Sequence, residues 1–230
     1  MRASDNLILV ARALAPIREH RFVFAGASIL PLLLDDPAAP PPRFTVDVDA
    51  VVDVITYAQW EELQRRLHEC GLVIRADAPI GKGRICLFHL DQIEVDIMPA
   101  RMPMVIRPSR MLELGFQFAE PREVTEGLEI LVLSAPGLLA AKLEAFADRG
   151  IRDVHMSKDL DDIIALIDRR LGIADEIVVA PDEMRHFIAS STRRLLADSN
   201  VIDVISDLLR DRERERRLID LMRRLGAASF

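Results

Sequence analysis

The segment FTVDVDAVVDV, residues 44–54, decides the fold that we predict for this chain. Its apolar residues alternate with Asp47 and Asp49, and after Val51 the alternation continues to Asp53. Alternation with a period of two indicates a half-buried β-strand. Aspartate is uncommon in strands, and side chains two positions apart point to the same face, where Asp47 and Asp49 repel each other. The segment therefore predicts a strand with an acidic face that needs a physical explanation.

A second predicted strand carries acids in the same pattern. In IEVDIMP, residues 93–99, isoleucine and valine fall on one face, and Glu94 and Asp96 fall on the other. If the two strands are neighbours in one sheet, Asp96 converges with Asp47 and Asp49, whereas we expect Asp53, further along its strand, to do no more than meet water. Three carboxylates repel one another without a cation, and Mg²⁺ takes oxygen ligands while it keeps positions open for substrate phosphates. Two such ions about 3.5–4 Å apart can activate a hydroxyl and stabilise leaving pyrophosphate. Acids that simply face water are the alternative, and the spacing alone leaves both interpretations open.

A glycine turn precedes these strands. The tripeptide Gly26-Ala27-Ser28 lies between an apolar strand, residues 22–25, and an apolar helical turn. A glycine at such a turn lets a phosphate approach the backbone, and the start of a helix offers free N–H groups. Ser28 could add a hydroxyl, although a turn that only redirects the backbone is the alternative. The sequence contains neither G-x-x-x-x-G-K-[ST] nor G-x-G-x-x-G, so it supports neither a P-loop nor a Rossmann dinucleotide site.

The two halves of the chain differ in periodicity. The first half mixes helices with strands, which we also predict over residues 72–76, 84–90 and 128–134, whereas the pattern from Ala135 onward is helical. We therefore predict an α/β (α+β) fold, in which a mixed β-sheet with flanking helices is followed by a C-terminal helical bundle. The predicted domains are 1–133 and 134–230.

Composition excludes several classes of protein. The chain has no run of about 18 apolar residues and no recognisable signal peptide, so we expect a cytoplasmic protein that does not bind membranes. Cys70 and Cys86 have no metal-ligand spacing, and we expect reduced thiols. The net charge of −7 argues against indiscriminate binding to nucleic acid but is compatible with a local basic patch. Residues 210–224 hold more arginines than acids, and we expect a solvated helix packed on the bundle, with a helix that binds RNA or a partner as the alternative.

Lysine is rare in this chain. Only Lys82, Lys142 and Lys158 are lysines among its 30 basic residues. Because the chain uses arginine for generic positive charge, a lysine suggests a need for a compact point charge. Lys142 lies in an amphipathic helix, where a plain surface lysine is the alternative.

A pair of aspartates follows in the next predicted helix. Asp159 and Asp162 are three residues apart and share one helix face. Arg149 and Arg152 are near enough in sequence to pair with them, so a structural salt-bridge cluster competes with a functional role.

The order of these pieces resembles the nucleotidyltransferase superfamily, with an apolar strand, a Gly-x-Ser turn, T-x-D-x-D and a later strand with a central aspartate. Longer segments resemble, more narrowly, the bacterial nucleotidyltransferases grouped with the AbiEii-type toxins. These segments lie within residues 20–195 and read FAGASILPLLLDDPAAPPPRFTVDVDAVVDV, VDIMPA, LSAPGLLAAKLEAFADRG and SKDLDDIIALIDRR. The superfamily turn is commonly Gly-Gly or Gly-Ser, whereas Ala27 separates Gly26 from Ser28 here.

The resemblance implies a Mg²⁺-dependent enzyme that moves a nucleoside monophosphate from an NTP to an acceptor hydroxyl. The acceptor would be tRNA, another macromolecule or a small molecule, and the protein would be the toxin of a toxin–antitoxin system with a cognate antitoxin. An inactive nucleotidyltransferase-like fold that binds a partner or a nucleotide is the alternative.

The same resemblance implies roles for individual residues. The nucleotide-binding residues would be Gly26, Ala27, Ser28 and Thr45. Asp47 and Asp49 would bind Mg²⁺, and Asp96 would be the third carboxylate, either as a metal ligand or as a base. Lys142 would contact nucleotide phosphate, Asp159 would support it, and Asp162 is a weaker candidate.

Overall fold

The computed structural model describes residues 4–38, 42–74, 86–101 and 109–227. The chain divides into two compact units. The first comprises Met1–Leu32 and Arg43–Leu133, and the second comprises Leu33–Pro42 and Ser134–Phe230. Residues 33–42, which the sequence assigned to the first domain, therefore group with the helical unit.

A six-stranded mixed sheet forms the centre of the first unit, with the strand order β3-β4-β2-β1-β6-β5. The β2–β4 and β1–β6 pairs are parallel, and the other pairs are antiparallel. The strands are β1 Phe22–Ala25, β2 Val48–Val52, β3 Leu87–Leu90, β4 Ile93–Pro99, β5 Glu120–Thr125 and β6 Leu128–Val132. All four residues of β1 are buried, as expected for a central strand that is covered on both faces.

Helices flank this sheet. They are α1 Asp5–Leu14, α2 Leu30–Leu33, α3 Tyr57–Glu69 and α4 Arg110–Gln117. The α3 helix begins at a capping box made by Thr56 and Gln59. Its buried stripe consists of Trp60, Leu63 and Leu67, and Trp60 meets Phe88 of β3 edge to face.

The second unit is helical. Its helices are α5 Ala135–Asp148, α6 Lys158–Arg169, α7 Ile173–Val178, α8 Asp182–Leu196, α9 Ser199–Leu209 and α10 Arg212–Ala227. Ser134 caps α5 and Ser157 caps α6, because each side-chain oxygen accepts a hydrogen bond from a first-turn backbone N–H. The predicted mixed sheet followed by a helical bundle is therefore confirmed.

Strand β2 is shorter than the predicted strand 44–54. Its partner β1 ends at Ala25, opposite Asp49, and β4 pairs with it from Val48 onward. Before that point the backbone leaves the sheet, and the carbonyl of Val46 accepts a hydrogen bond from the Asn6 side chain instead. The length of a strand depends on how far its neighbours extend, which alternation within one segment does not encode.

The other predicted strands have mixed outcomes. Strand β4 matches its prediction residue for residue. Of residues 72–76, Val73 forms an isolated bridge with His89. Residues 75–76, and the Gly81-Lys82-Gly83 segment whose composition indicates a turn, lie outside the described residues. In the described ranges, none of the helices has the length and hydrophobicity that are needed to span a lipid bilayer.

Candidate active site

Asp49 and Asp96 are brought together by the register of the sheet. Strands β2 and β4 run parallel, and the Cα atoms of Asp49 and Asp96 are direct partners. Neighbouring strands lie about 4.8 Å apart, and residues in register point to the same face. Both residues are half-buried, whereas Val48 and Val95 on the opposite face are fully buried. The predicted convergence of acids from two neighbouring strands is therefore present for this pair.

Gly26 lies directly against the Asp49 carboxylate. It follows β1 with φ +67° and ψ −164°, a backbone region that is essentially restricted to glycine. A Cβ atom at this position would lie 1.8 Å from Oδ2 of Asp49, so a larger residue has no room. Glycine is therefore required here for its conformation and also because a carboxylate passes next to its Cα.

The turn after Gly26 differs in detail from a phosphate-binding helix start. Ala27–Ile29 form one 3₁₀ turn, and α2 adds only four residues, so few peptide dipoles are aligned. Ser28 is 2% exposed, and its hydroxyl donates a hydrogen bond to the carbonyl of Ala25 over 3.2 Å. A direct role of Ser28 in phosphate binding therefore requires its hydroxyl to leave this carbonyl.

Thr45 and Asp47 precede β2 and are not part of the sheet. The Asp47 side chain is exposed, in contrast to half-buried Asp49. Asp47 therefore lies two residues before the Asp49–Asp96 pair, on a segment without strand pairing.

Asp53 belongs to a different environment. The sequence assigned it no task beyond meeting water, but its carboxylate accepts two hydrogen bonds from Nη2 of Arg101, at 2.8 and 3.1 Å. This ion pair is partly exposed, and the interaction raises the pKa of Arg101. The prediction that Asp53 merely faces water is wrong, because a partner 48 residues later in the chain is invisible to local alternation.

The acidic face carries a further pair that the sequence analysis did not assign. Leu87 of β3 is the partner of Asp96, and His89 is the partner of Glu94, so all four side chains share one face. His89 is 6% exposed, and its Nε2 lies 3.8 Å from Oε1 of Glu94. The period-two pattern of residues 86–90 was the available signal, since it places His89 on the same side as Leu87.

The donor chemistry at this face fits a hard divalent cation. Asp49 and Asp96 supply carboxylate oxygens, which Mg²⁺ prefers. Oδ2 of Asp49 lies in the space that a Cβ atom at Gly26 would fill. Burial raises the pKa of the Cys86 thiol to about 12, with the charge of Asp96 adding to the effect. Among the described residues, no group of three or more His, Cys, Asp or Glu side chains forms a ready metal site. A metal shared by Asp47, Asp49 and Asp96 stays a prediction.

In the second unit, Lys142 lies between two buried aspartates. Its Nζ is 2.7 Å from Oδ2 of Asp162 and 3.2 Å from Oδ1 of Asp159. The side chains of Lys142, Asp162 and Asp159 are 11%, 1% and 6% exposed, respectively, so the ammonium group is screened little by water. The structure therefore brings the predicted residues Lys142, Asp159 and Asp162 together as one charge cluster between α5 and α6.

Arg149 completes this cluster from the solvent side. Its Nε and Nη2 donate hydrogen bonds of 2.7 and 3.0 Å to the two carboxylate oxygens of Asp159. Burial alone would raise the pKa of Asp159, but the bonds from Arg149 and the charge of Lys142 outweigh it and lower that pKa. Asp159 is therefore held ionised by two cations, and the salt-bridge interpretation of this motif has a structural basis alongside the functional one.

A family model matches almost the whole chain. The model of the nucleotidyl transferase AbiEii toxin, type IV toxin–antitoxin system, matches residues 7–228. The chain belongs to this nucleotidyltransferase family. The AbiEii resemblance that the sequence predicted is therefore confirmed, and with it the assignment of the protein to the nucleotidyltransferases.

Two solved structures are similar to the chain at a low level. The antibiotic-resistance factor ANT(2'')-Ia is 13% identical over 85% of this chain and 95% of its own, with a TM-score of 0.48. An antigenic nucleotidyltransferase-like protein from Paracoccidioides brasiliensis is 18% identical over 87% of this chain and 94% of its own, also with a TM-score of 0.48. Similarity at this level does not bear on the activity of the AbiEii-family chain. None of the curated proteins matches it in sequence.

Proposed function

We propose that this AbiEii-family protein is a Mg²⁺-dependent enzyme that transfers a nucleoside monophosphate from an NTP to an acceptor hydroxyl. The observation that carries the proposal is the in-register pair of Asp49 and Asp96 beside Gly26. Two carboxylates held on one face of neighbouring strands are costly unless a cation neutralises them. Glycine at position 26 lets the Asp49 carboxylate lie directly against the backbone after β1.

The proposed reaction breaks one bond and forms one. The acceptor oxygen bonds to the α-phosphorus, the bond from that phosphorus to the β-phosphate oxygen breaks, and pyrophosphate leaves. The proton of the acceptor hydroxyl passes to a base, a role for which Asp96 is the proposed residue when it does not serve as a ligand. Mg²⁺ supplies charge neutralisation for the triphosphate and for the leaving group.

The proposed roles of the individual residues follow the family assignment. Asp47 and Asp49 hold the metal, with Asp96 as the third carboxylate. Gly26, Ala27, Ser28 and Thr45 bind the triphosphate and the nucleotide. In the second unit, Lys142 contacts nucleotide phosphate and Asp159 supports Lys142. The hydrogen bonds that Asp159 accepts from Lys142 and Arg149 favour this supporting role.

The test is transfer of label from each of the four [α-³²P]NTPs to candidate acceptors, with total tRNA, ribosomal RNA and an aminoglycoside in separate reactions with MgCl₂. We expect label on one acceptor class, and loss of label by about 100-fold or more in Asp49→Asn and Asp96→Asn, because charge neutralisation dominates such reactions. Asp53→Asn is the matched control, since this carboxylate follows the same strand but pairs with Arg101. It should stay within about twofold of wild type, as expected for an exposed ion pair.

Two outcomes would contradict the proposal. Labelling that survives Asp49→Asn would remove the carboxylate pair from the reaction. Absence of metal-dependent transfer, together with no heat of NTP binding in calorimetry, would favour the inactive binding module.

The family assignment also motivates a toxin function in the cytoplasm, with tRNA as the first acceptor to examine and a cognate antitoxin as partner. Induced expression should slow growth of a bacterial host, and Asp49→Asn at equal protein level should not. Equal growth inhibition by both forms would separate toxicity from nucleotidyl transfer.

A further inference from the structure

A concave basic surface lies where α9 meets α10 in the helical unit. It encloses a cavity of about 770 Å³. The cationic residues that line it are Arg210, Arg212, Arg216 and Arg223. Two acids, Asp211 and Glu215, also line it, so its formal charge is positive although the chain as a whole is negative.

The arginines of α10 form a stripe along one face of the helix. Arg212, Arg216, Ile219 and Arg223 follow the spacing i, i+4, i+7 and i+11, which places them above one another. With a rise of 1.5 Å per residue, Arg212 and Arg216 are separated by about 6 Å along the axis, and Arg216 and Arg223 by about 10 Å. The buried residues of this helix are different ones, namely Leu218, Met222, Leu225 and Gly226.

The two acids in the cavity are already engaged. Oδ1 of Asp211 accepts the backbone N–H groups of Glu213 and Arg214 at 2.8 and 3.2 Å and so stabilises the start of α10. Oε1 of Glu215 accepts a hydrogen bond of 2.8 Å from the Ser206 hydroxyl. The acids therefore have structural tasks and do not pair with the arginine stripe.

In the part of the chain that the structure describes, two arginines of the stripe lack internal partners, whereas Arg223 forms an exposed ion pair with Asp220. Elsewhere in this unit, Arg170 binds Asp35 and Glu176, and Arg214 binds Asp168. Within the part of the chain that the structure describes, the side chains of Arg212 and Arg216 make no hydrogen bond or ion pair. They are one helical turn apart, where like charges destabilise a helix, so an anion bound between them would relieve this repulsion.

We propose that this cavity binds a single-stranded nucleic acid, with Arg212, Arg216 and Arg223 contacting successive phosphates. The guanidinium fork matches phosphate geometry, and a row of separated cations suits a linear polyanion better than one small anion. Ile219 lies between Arg216 and Arg223 in the stripe and offers an apolar surface against which an unstacked base can pack. The proposal concerns binding alone and does not rest on nucleotidyl transfer.

The test is fluorescence anisotropy with a fluorescein-labelled single-stranded RNA oligonucleotide between about 50 and 200 mM KCl, the range over which phosphate contacts weaken strongly. Arg212→Gln/Arg216→Gln should lower the affinity about tenfold or more at the low-salt end. It should also reduce the magnitude of the slope of log K against log[salt] by about 1.4, which corresponds to two phosphate contacts on a single strand. Glu215→Gln should tighten binding, because it removes a negative charge from the cavity while its amide oxygen can still accept from Ser206.

The matched control is Arg217→Gln/Arg224→Gln, which removes the same charge from exposed positions of α10 outside the cavity. We expect less than a twofold change, and circular dichroism melting verifies that both double variants are folded. An equal loss in both double variants, no binding by wild type, or equal affinity for poly-glutamate would overturn the proposal. Asp49→Asn should bind RNA like wild type, so failure of the catalytic proposal and failure of this one give different results.

Discussion

At Gly26 the backbone of the sheet unit has no room for a Cβ atom. Gly26→Ala would place a methyl group where Oδ2 of Asp49 lies, at a φ of +67° that alanine rarely adopts. We expect a loss of about 2–3 kcal/mol in the free energy of unfolding from backbone strain and displacement of the carboxylate. NTP binding that depends on Mg²⁺ should fall with it. Urea unfolding and calorimetry measure the two effects.

Gly127→Ala separates the two causes of the expected loss in stability, which are backbone strain and displacement of the Asp49 carboxylate. Gly127 lies between β5 and β6 at φ +72°, but nothing lies within 4 Å of the position that a Cβ atom would take there. This variant should lose only the conformational part, about 1 kcal/mol, and should keep NTP binding. If Gly26→Ala behaved like Gly127→Ala in both measurements, the close approach to Asp49 would have no functional consequence.

The alternation of polar and apolar residues predicted which face of a strand an acid occupies better than it predicted the partners of the side chains. It correctly placed Asp49 and Asp96 on polar faces of two strands, because a period of two is a property of neighbouring residues. It missed the pairing of Asp53 with Arg101, since ion pairs between distant segments leave no local pattern. It also left His89 without a role, because only the pairing of β3 with β4 brings this residue opposite Glu94.

At the scale of helices, the contact between α5 and α6 depends on Lys142. Lys142→Ala removes the ammonium group that lies 2.7 Å from the carboxylate of Asp162, a side chain that is 1% exposed. We expect the free energy of unfolding to fall by about 3 kcal/mol, since removal of one member of a buried ion pair is strongly destabilising. Lys158→Ala, at an exposed position of α6, should change stability by less than about 0.5 kcal/mol. Urea denaturation measures both.

A double variant distinguishes the structural role of Lys142 from a functional one. Lys142→Met/Asp162→Leu replaces the pair by apolar side chains of similar length, and stability should recover to near wild type. A stable double variant without transferase activity would assign Lys142 to nucleotide binding. A stable and active one would assign it to helix packing alone.

The same helix contact should make stability depend on pH. The pKa of Asp159 is lowered in the folded state, so its contribution is fully present above the unfolded value of 3.8 and is lost as the pH falls through the folded pKa. Between about pH 5 and pH 2 the wild type should therefore lose more free energy of unfolding than Asp159→Asn. Urea titrations across this range provide the measurement, and parallel curves for the two proteins would contradict it.

At the scale of the whole molecule, Arg170 fixes residues 33–36 to the helical unit. It donates to the carbonyl of Leu33 at 3.1 Å and to Oδ2 of Asp35 at 2.8 Å, and it also binds Glu176. Arg170→Ala should reduce the free energy of unfolding by about 2 kcal/mol, as expected for partly buried hydrogen bonds to charged groups. It should also increase thermolysin cleavage between residues 33 and 43, measured by mass spectrometry.

Arg185→Ala is the matched control for this variant. Arg185 has almost the same side-chain exposure, 21% against 20%, and binds Asp182 and the carbonyl of Val178 within the same unit. Its loss should not expose residues 33–43 to protease. Faster cleavage in both variants would indicate general destabilisation of the unit rather than release of the segment.

The grouping of residues 33–42 with the helical unit is also the part of the organisation that the sequence did not predict. Proline-rich composition indicated a loop, and periodicity placed the change from strands to helices near residue 134. Neither signal reports which unit a loop packs on. That depends on contacts such as Asp35 with Arg170, which are 135 residues apart.

This separation has a consequence for newly made protein. At about 5–20 residues per second, a ribosome needs on the order of ten seconds to make the residues between Asp35 and Arg170. Throughout that interval residues 33–36 have not met their anchor, although β2 and β4, which carry Asp49 and Asp96, are complete well before Arg170 is made. Synthesis that stops before Arg170 therefore yields a chain that contains Asp47, Asp49 and Asp96, the carboxylates of the proposed metal site. This chain lacks the arginine that binds residues 33–36.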